Sequence, residues 1–246
     1  MQLWLCPLVA FLMGSIPFGY FIAKSKGIDI RDHGSGNIGA TNVFRVIGKK
    51  QGLICLFLDA LKGFIPVILA VNLVPVLGRD PAIQFELLDA FQMMPPPEQF
   101  TAQLVHVITA LAAVLGHNYS PWIGFKGGKG IATSAGVIIA LMPAAIVLLL
   151  IIFLVTLLIS RYVALASIVS AISLPILTHL GARFHKTPDG ISLWEAGTWN
   201  KPLFFFSLII GILAVWKHRT NIGRLMSGTE SRFVWGKKKH TVTPDV

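Results

Sequence analysis

Apolar residues occur in this chain as seven long segments separated by polar stretches. A helix needs about 20 apolar residues to cross a bilayer, and the apolar segments cover residues 3–23, 52–77, 102–122, 131–141, 143–160, 162–180 and 202–216. The pattern predicts an all-α integral membrane protein with seven transmembrane helices. These helices form one domain over residues 1–230, followed by a basic, disordered cytoplasmic tail over residues 231–246.

Prolines refine these boundaries. Pro17 lies between Gly14 and Gly19 and predicts a kink near the end of the first span, because proline cannot complete the helical hydrogen bonding. The long run over residues 131–160 can form either one tilted helix or a hairpin of one short and one full span, and Pro143 favours the hairpin. Residues 78–100 form a polar, proline-containing loop whose role the pattern leaves open.

The distribution of charge supports the hairpin and sets an orientation. With seven spans, one side of the membrane collects 16 of the 21 basic residues but 4 of the 11 acids. Because cytoplasmic loops carry the excess of lysine and arginine, this side is predicted to be cytoplasmic, with the N-terminus outside and the C-terminus inside. A single long helix over residues 131–160 would place the basic tail outside, contrary to this rule.

The composition narrows the class of protein. Of the 246 residues, 54% are hydrophobic and 13% charged, and the mean hydropathy is +0.71, which is typical of a membrane protein. The net charge of +10 does not indicate nucleic-acid binding, because the basic residues lie between apolar runs and not on a soluble face. Cys6 and Cys55 lie near opposite ends of neighbouring predicted helices, so no disulfide is predicted.

The stretch HNYSPWIGFKGGKGIATSAG, residues 117–136, is the strongest candidate for an anion site. It places Gly127, Gly128 and Gly130 around Lys126 and Lys129. Glycines let backbone N–H groups converge on an anion, lysines supply charge, and a helix starting just after the loop adds its positive dipole end. The alternative is a flexible basic loop on lipid headgroups. The spacing is one residue short of a Walker A motif and lacks its Ser or Thr, so an ATPase is not indicated.

The first cytoplasmic loop is also rich in glycine and reads GSGNIGATNVFR, residues 34–45. Its formal match to the dinucleotide fingerprint is rejected, because a membrane span precedes it where that motif requires a strand. What remains is a polar turn with Ser35, Asn37 and Asn42, followed by Arg45, which can hold a phosphate through two hydrogen bonds. Alternatively, the turn only caps the next helix.

The second span contains two charged residues, Asp59 and Lys62, three positions apart on one helix face. Each would cost roughly 2.5–3.5 kcal/mol at a lipid-exposed position in mid-helix, so they are functional candidates by default. The alternative is a structural ion pair, and such a pair can also orient a site. His117, at the inner end of the third span, is predicted to be structural, and the alternatives are that it orients Asn118 and the loop that follows or that it contacts substrate.

Two further segments near the cytoplasmic side carry candidate residues. Arg161 is interpreted as a headgroup anchor and Ser167 as a small residue for helix packing. The segment KHRTNIGRLMSGTE, residues 217–230, has the pattern of an interfacial amphipathic helix. Within it, His218 and Asn221 are spaced to point the same way, directly below the membrane.

Other kinds of site are not indicated. The remaining histidines have no partners at ligand spacing, and there is neither a cysteine cluster nor an HExxH motif, so no metal and no cofactor are predicted. The GxSxG motif of serine hydrolases is also absent.

Taken together, GSIPFGY, GSGNIGATNVFR, DALKG, GHNYSPWIGFKGGKG, RYVALASI and KHRTNIGRLMSGTE resemble the bacterial acyl-phosphate:glycerol-3-phosphate acyltransferase family. The resemblance covers the chain apart from two outer loops and the last residues. It implies a seven-helix protein of the bacterial inner membrane with its active site on the cytoplasmic face. It also implies an acyl-phosphate donor, lysophosphatidic acid as product in the first committed step of phospholipid synthesis, and contact with membrane lipids. Functional coupling to an acyl-phosphate-forming enzyme and to a second acyltransferase would follow.

The resemblance also implies roles for individual residues. The glycerol-3-phosphate site would comprise Ser35, Arg45, Lys129, Ser167 and His218, with Asn221 completing the pocket. Ser35, His218 and Asn221 would be the catalytic residues. Lys126, Gly127, Gly128, Gly130, Asn37 and Asn42 would bind the acyl phosphate, and Asp59, Lys62, His117 and Arg161 would be structural or orienting residues. Here Ser167 moves from packing to substrate binding.

Two rival functions remain. A transporter or flippase for a phosphorylated metabolite could use the same basic, glycine-rich pocket, although the outer loops carry few charges for a path through the bundle. A non-catalytic lipid-binding scaffold would not need two glycine-rich loops. Within the enzyme hypothesis, His218 is the only protein candidate for a general base, and the alternative, which the resemblance favours, is that a substrate phosphate accepts the proton.

Overall fold

The structure is a computed structural model and describes residues 5–73, 96–186, 189–197 and 200–233. The described residues are helical apart from loops and one isolated β-bridge. The α-helices are α1 (Leu5–Ser15), α2 (Phe18–Lys24), α3 (Ala40–Val46), α4 (Lys49–Leu73), α5 (Pro96–Asn118), α6 (Ile131–Leu141), α7 (Pro143–Ser160), α8 (Val163–Phe184), α9 (Lys201–Lys217) and α10 (Arg219–Met226). Short 3₁₀ turns cover Ile30–Asp32 and Pro121–Ile123.

Each of the seven predicted apolar segments contains a helix. Five helical segments are long and apolar enough to cross a membrane, and a sixth results if α9 and α10, which meet at 54°, are taken as one bent span. Helix α6 has 11 residues, which at 1.5 Å per residue is too short to cross a bilayer alone. The all-helical membrane architecture is therefore confirmed, whereas the count of seven spans and the orientation remain predictions.

The predicted kink in the first span is a break in the helix. Helix α1 ends at Ser15 and α2 begins at Phe18, with Pro17 as the residue before α2. The run over residues 131–160 is likewise divided, because Met142 adopts φ −146° and ψ 64° and separates α6 from α7. This break agrees with the hairpin interpretation and excludes one continuous helix.

Small residues allow the helices to approach closely. Helix α1 packs against α5, α4 against α6, and α8 lies between α7 and α9. A Cβ atom on Gly14 would lie 2.1 Å from the carbonyl oxygen of Ala113, and one on Gly136 would lie 1.9 Å from that of Ala60. Such contacts are typical of membrane bundles, where packing drives helix association. Helix α7 exposes most of its apolar side chains, as expected of a helix facing lipid.

The buried pair Asp59 and Lys62 ties the bundle together. Their charged groups are 2.8 Å apart, and both side chains are nearly inaccessible. The Lys62 ammonium also donates to the carbonyl of Ile16, at 2.6 Å, in the gap between α1 and α2 where the helical hydrogen bonding is interrupted. The pair thus joins α4 to the break in the first span.

The glycine-rich and polar loops lie at one end of the bundle. The loop before α3, the loop between α5 and α6, the start of α8 and the junction of α9 with α10 border common cavities. The apolar bundle therefore serves to bring segments far apart in the sequence to one place.

Candidate active site

A polar cavity lies where these segments meet. Its lining includes Ser35, Asn37, Asn42, Arg45, Asp59, His117, Lys129, Gly130, Ser167, His218, Asn221 and Glu230. A second cavity shares Ser35, Asn37 and Lys129 with the first and is otherwise lined by Gly36, Gly127, Gly128, Lys217, Arg219, Thr220 and Arg224. The two cavities are therefore neighbours, with Lys129 on the boundary between them.

The second cavity is strongly basic. Lys129, Lys217, Arg219 and Arg224 contribute four cationic side chains to it. Lys217 is held in place, because its ammonium donates to the carbonyl of Asn118 at 3.0 Å and lies 3.9 Å from the centre of the Tyr119 ring. Such a concentration of positive charge beside backbone groups of a glycine-rich loop suits a phosphate or another compact anion.

Asn42 organises the first loop. It is buried, its side-chain oxygen accepts from the backbone N–H of Ser35 at 2.9 Å, and its amide nitrogen donates to the carbonyls of His33 and Asn37, both at 2.9 Å. A Cβ atom on Gly34 would lie 2.3 Å from the same side-chain oxygen. The Asn42 amide therefore holds the loop in shape, and its direct contact with an acyl phosphate is not supported by this geometry.

Arg45 projects from α3 to the cavity and is half-buried. Burial lowers the pKa of its guanidinium, the nearby charge of Arg224 lowers it further, and Glu230 opposes both. Arginine keeps its charge at any physiological pH. A partly dehydrated, charged guanidinium at the edge of a cavity is well placed to bind an anion.

A chain of hydrogen bonds crosses the cavity from Lys129. Its ammonium donates to the side-chain oxygen of Asn221, whose amide nitrogen donates to Glu230 at 3.0 Å. The other oxygen of Glu230 pairs with Arg224 at 2.7 Å. Burial lowers the pKa of Lys129 to about 8, and the positive charge of Arg224 adds to this effect. Glu230, 8% exposed, is the acidic counterpart that holds the cationic groups in a fixed arrangement.

His218 connects α9 and α10 and is buried. Its Nδ1 atom lies 2.8 Å from the carbonyl oxygen of Ala214, and since a carbonyl only accepts, Nδ1 carries the hydrogen. Nε2 is then an acceptor in the neutral ring. Burial, helped by the positive charge of Lys129, lowers the pKa of His218 to about 4, so the ring is neutral at physiological pH.

The glycines of the central loop are packed against the end of α5. A Cβ atom on Gly127 would lie 2.0 Å from the carbonyl oxygen of His117, and one on Gly128 would lie 2.1 Å from its Nε2 atom. Gly130 adopts φ +80°, and a Cβ there would lie 2.8 Å from the Asn118 side chain. The loop therefore requires glycine for its own packing, whether or not an anion approaches it.

His117 in turn lies beside the buried ion pair. It is 3% exposed, and its Nδ1 atom lies 3.6 Å from the carboxylate of Asp59. Asp59 and His117 also line the first cavity, whereas Lys62 does not. The predicted orienting role of these residues thus has a geometric basis in the contact of His117 with the central loop.

The remaining candidates divide into two groups. Ser35 is exposed and lines both cavities, and Ser167 is buried, donates to the carbonyl of Val163 at 2.9 Å and lines the first cavity. Lys126 is exposed and Arg161 adopts φ +61° at the end of α7. Neither Lys126 nor Arg161 lines either cavity.

Four charged cavity residues were not assigned to the site from the sequence: Lys217, Arg219, Arg224 and Glu230. All four lie in the segment KHRTNIGRLMSGTE, where an interfacial helix accounts for basic residues without any site. The one sequence signal that could have indicated Glu230 is that it is the only acidic residue in this basic segment. Within the described residues, the structure contains no group of three or more metal-ligating side chains.

Comparison with known proteins identifies the family to which this chain belongs. A family model described as glycerol-3-phosphate acyltransferase matches residues 4–228. The chain belongs to this family. Among glycerol-3-phosphate acyltransferases, the chain is 42% identical over 235 residues to the protein from Desulforamulus reducens, covering 94% of each chain. It is 41% identical over 224 residues to the protein from Aquifex aeolicus, covering 91% of this chain and 95% of the other.

Solved members of the family share the fold. The crystal structure of PlsY (YgiH), an integral membrane glycerol 3-phosphate acyltransferase, matches in its glycerol 3-phosphate form with a TM-score of 0.74 and 38% identity. Its lysophosphatidic acid form matches with a TM-score of 0.72 and 37% identity. Both alignments cover 95% of this chain and 96% of the other. The resemblance inferred from the sequence motifs is confirmed.

Proposed function

We propose that this protein transfers an acyl chain from acyl phosphate to the sn-1 hydroxyl of glycerol 3-phosphate, giving lysophosphatidic acid and phosphate. The observation that carries the proposal is the pair of neighbouring cavities with Lys129 between them. A reaction between two phosphorylated substrates needs two anion sites side by side, and the basic residues reduce the repulsion between them. Membership of the glycerol-3-phosphate acyltransferase family supports the acceptor, and the two-site arrangement supports an acyl-phosphate donor.

The first cavity suits glycerol 3-phosphate. Arg45 and Lys129 would bind its phosphate, while Ser35, Ser167 and the Nε2 atom of His218 offer polar partners for its hydroxyl groups. The second cavity would hold the phosphate of the donor against the backbone of Gly127 and Gly128. We extend the donor site to Lys217, Arg219 and Arg224, because these side chains line the same cavity.

The acyl chain also has an exit toward lipid. Leu56 of α4 and Phe153 of α7 line the first cavity, and Leu56 is 47% exposed on the outer surface of the bundle. A chain attached to a carbonyl beside Lys129 can therefore pass between α4 and α7 into the bilayer. Product release would then need no passage through water.

The chemistry follows from charge and orientation. The acceptor oxygen attacks the carbonyl carbon, the bond from that carbon to the phosphate oxygen breaks, and the hydroxyl proton leaves with one of the phosphates or through His218. Fixed cations stabilise the charge that develops on the leaving phosphate, and holding both substrates in place removes the entropy cost of their encounter. Since the pKa of His218 is lowered to about 4, its imidazole is a weak base, and we favour a substrate phosphate as the proton acceptor.

The pH profile of kcat/KM for glycerol 3-phosphate tests this assignment, because it reports ionisations of the free enzyme and free substrate. We expect a flat profile between pH 5.5 and 7.5 apart from the ionisation of the substrate phosphate, and a fall above about pH 8 as Lys129 loses its proton. The Lys129→Arg variant should lose this alkaline fall, since arginine stays charged. An enzyme ionisation between pH 6 and 7 that disappears in His218→Ala would instead identify His218 as the base.

A reconstituted assay tests the function itself. The purified protein in detergent, supplied with acyl phosphate and glycerol 3-phosphate, should form lysophosphatidic acid and an equal amount of phosphate. Acyl-CoA supplied alone as donor should give none. Product from acyl-CoA would overturn the donor assignment, and failure to form product with either donor would leave the transporter or the lipid-binding scaffold as the explanation.

We also propose that both cavities face the cytoplasm, with the N-terminus outside and the C-terminus inside a bacterial inner membrane. The excess of basic residues on the cavity side supports this orientation. Glycerol 3-phosphate and acyl phosphate arise in the cytoplasm, where an acyl-phosphate-forming enzyme would supply the donor and a second acyltransferase would consume the product. Sealed vesicles decide the orientation: added glycerol 3-phosphate should react in inverted vesicles only, and equal reaction in right-side-out vesicles would reject it.

A further inference from the structure

The short segment after Glu230 returns to the cavity that we assign to glycerol 3-phosphate. Ser231, Arg232 and Phe233 lie beyond residues 4–228, which the family model matches. These three residues were predicted to begin a disordered tail, but the structure describes them with specific contacts to two other segments. They begin directly after Glu230, which is fixed in the cavity wall by Asn221 and Arg224.

One set of contacts attaches this segment to the turn between α7 and α8. The backbone N–H of Phe233 donates to the carbonyl of Arg161 at 2.6 Å. The guanidinium of Arg232 donates to the Tyr162 hydroxyl at 3.1 Å and lies 5.7 Å from the centre of the Tyr162 ring. Arg161 adopts a left-handed conformation at this turn, with φ +61°, which closes α7 just before α8 begins.

A second set of contacts attaches the segment to α3. The rings of Phe233 and Phe44 are 5.6 Å apart and tilted by 40°, which is a favourable arrangement for an aromatic pair. The guanidinium of Arg45, the next residue in α3, donates to the carbonyl of Ser231 at 3.3 Å. Phe44 also packs closely against α4, since a Cβ atom on Gly52 would lie 2.6 Å from its Cβ.

We propose that residues 231–233 form a strap that connects α3 to the turn before α8 and positions Arg45 for glycerol 3-phosphate. The cavity lies between the two segments that the strap connects, with Arg45 on one wall and Val163 and Ser167 on the other. The carbonyl of Ser231 uses one guanidinium N–H and leaves the others available to a phosphate. Arg232 and Phe233 are positioning residues, because Arg232 acts through the turn before α8, Phe233 acts through α3, and neither lines a cavity.

The strap makes a prediction about one substrate only. In Phe233→Ala the aromatic contact with Phe44 is lost and α3 is free to shift, so Arg45 binds the acceptor phosphate less well. Given the energy of an aromatic pair, we expect the KM for glycerol 3-phosphate to rise about threefold to tenfold, with kcat and the KM for acyl phosphate near the wild-type values. This inference rests on the proposed function, which assigns Arg45 to glycerol 3-phosphate.

The experiment compares full-length variants by kinetics and by direct calorimetric binding of glycerol 3-phosphate. Phe233→Tyr keeps the ring and should retain wild-type affinity, whereas Tyr162→Phe removes only the hydroxyl that accepts from Arg232 and should weaken binding about twofold to threefold. Phe184→Ala, on an exposed phenylalanine at the far end of α8, is the matched control and should change nothing. In an Arg45→Lys background, Phe233→Ala should have little further effect, because the group that it positions is already altered.

The outcomes separate the strap from the function. Wild-type affinity in Phe233→Ala, in an active enzyme, would overturn the strap alone, and so would an equal loss for both substrates with a lower Tm, which indicates general destabilisation. If Phe233→Ala does not fold, Tyr162→Phe and Arg45→Lys are combined instead. The strap predicts that the combined loss of binding is smaller than the sum of the two single losses, and additive losses would overturn it. A wild-type protein that neither turns over nor binds glycerol 3-phosphate would overturn the proposed function together with the strap.

Discussion

Replacing Lys129 with methionine should lower kcat/KM for glycerol 3-phosphate by about 100-fold or more, the usual cost of removing one donor aimed at reacting charge. Lys129 lies on the boundary between the two cavities and is held by Asn221. No other lysine or arginine lines both cavities in the part of the chain that the structure describes. Methionine retains much of the length and apolar character of the side chain, so the loss reports the missing charge.

Lys126→Met is the matched control for this prediction. The sequence pattern assigns both lysines to the same anion site, but Lys126 is exposed and lines neither cavity. We expect it to change kcat/KM by less than about threefold, as surface charges contribute little. Equal losses in the two variants would mean that the loop acts through its overall charge, and a fully active Lys129→Met would remove Lys129 from the site.

The membrane architecture could be predicted because its cause is local. Each span must satisfy its backbone hydrogen bonds internally, so long apolar runs become helices regardless of their partners. The breaks at Pro17 and before Pro143 follow from the same local chemistry. The number of membrane crossings is harder to predict from the sequence, because the positions of the short helix α6 and of the bent junction at His218 depend on packing against neighbouring helices.

The candidate site was predicted in part. The motif resemblance named Arg45, Lys129, Ser167, His218 and Asn221, and the structure brings these residues to one cavity. Without the family resemblance, the sequence pattern assigned Ser167 to helix packing. The hydrogen bond of its hydroxyl within α8 is compatible with that role as well. A side chain can serve both purposes, and only its position beside the cavity distinguishes them.

The residues that were missed owe their role to tertiary structure. In the sequence, Glu230 has the pattern of a solvated acid in a basic tail. In the structure, the turn after α10 buries it against Asn221 and Arg224. Phe233 resembles a tail residue until it packs against Phe44, far away in the sequence. No pattern of spacing encodes these contacts, since the partners lie on separate segments that only the folded bundle brings together.

Gly128→Ala should reduce activity about 100-fold, since displacement of a substrate-binding loop by about 1 Å can cost that much. The methyl group would lie 2.1 Å from Nε2 of His117, a buried ring that lies 3.6 Å from the carboxylate of Asp59. Either the loop or the His117 ring must therefore shift, and the hydrogen bond from the Gly128 N–H to the His117 carbonyl, 3.1 Å long, couples the two. Gly223→Ala, in α10, is the control and should remain active, because nothing lies within 4 Å of its added methyl group.

Two physical reasons for the glycine make different predictions for a double variant. If the contact with His117 is the cause, then adding Gly128→Ala to a His117→Ala protein should cost less than about threefold, because the ring that forces the loop to move is gone. If the donor phosphate must approach the Gly128 backbone, the loss should stay near 100-fold in either background. We expect the smaller loss, because packing against His117 sets the position of the loop. The quantity to compare is the KM for acyl phosphate, in proteins of matched Tm. A full loss in the His117→Ala background would show that the approach of the donor phosphate, and not packing against His117, excludes a side chain at Gly128.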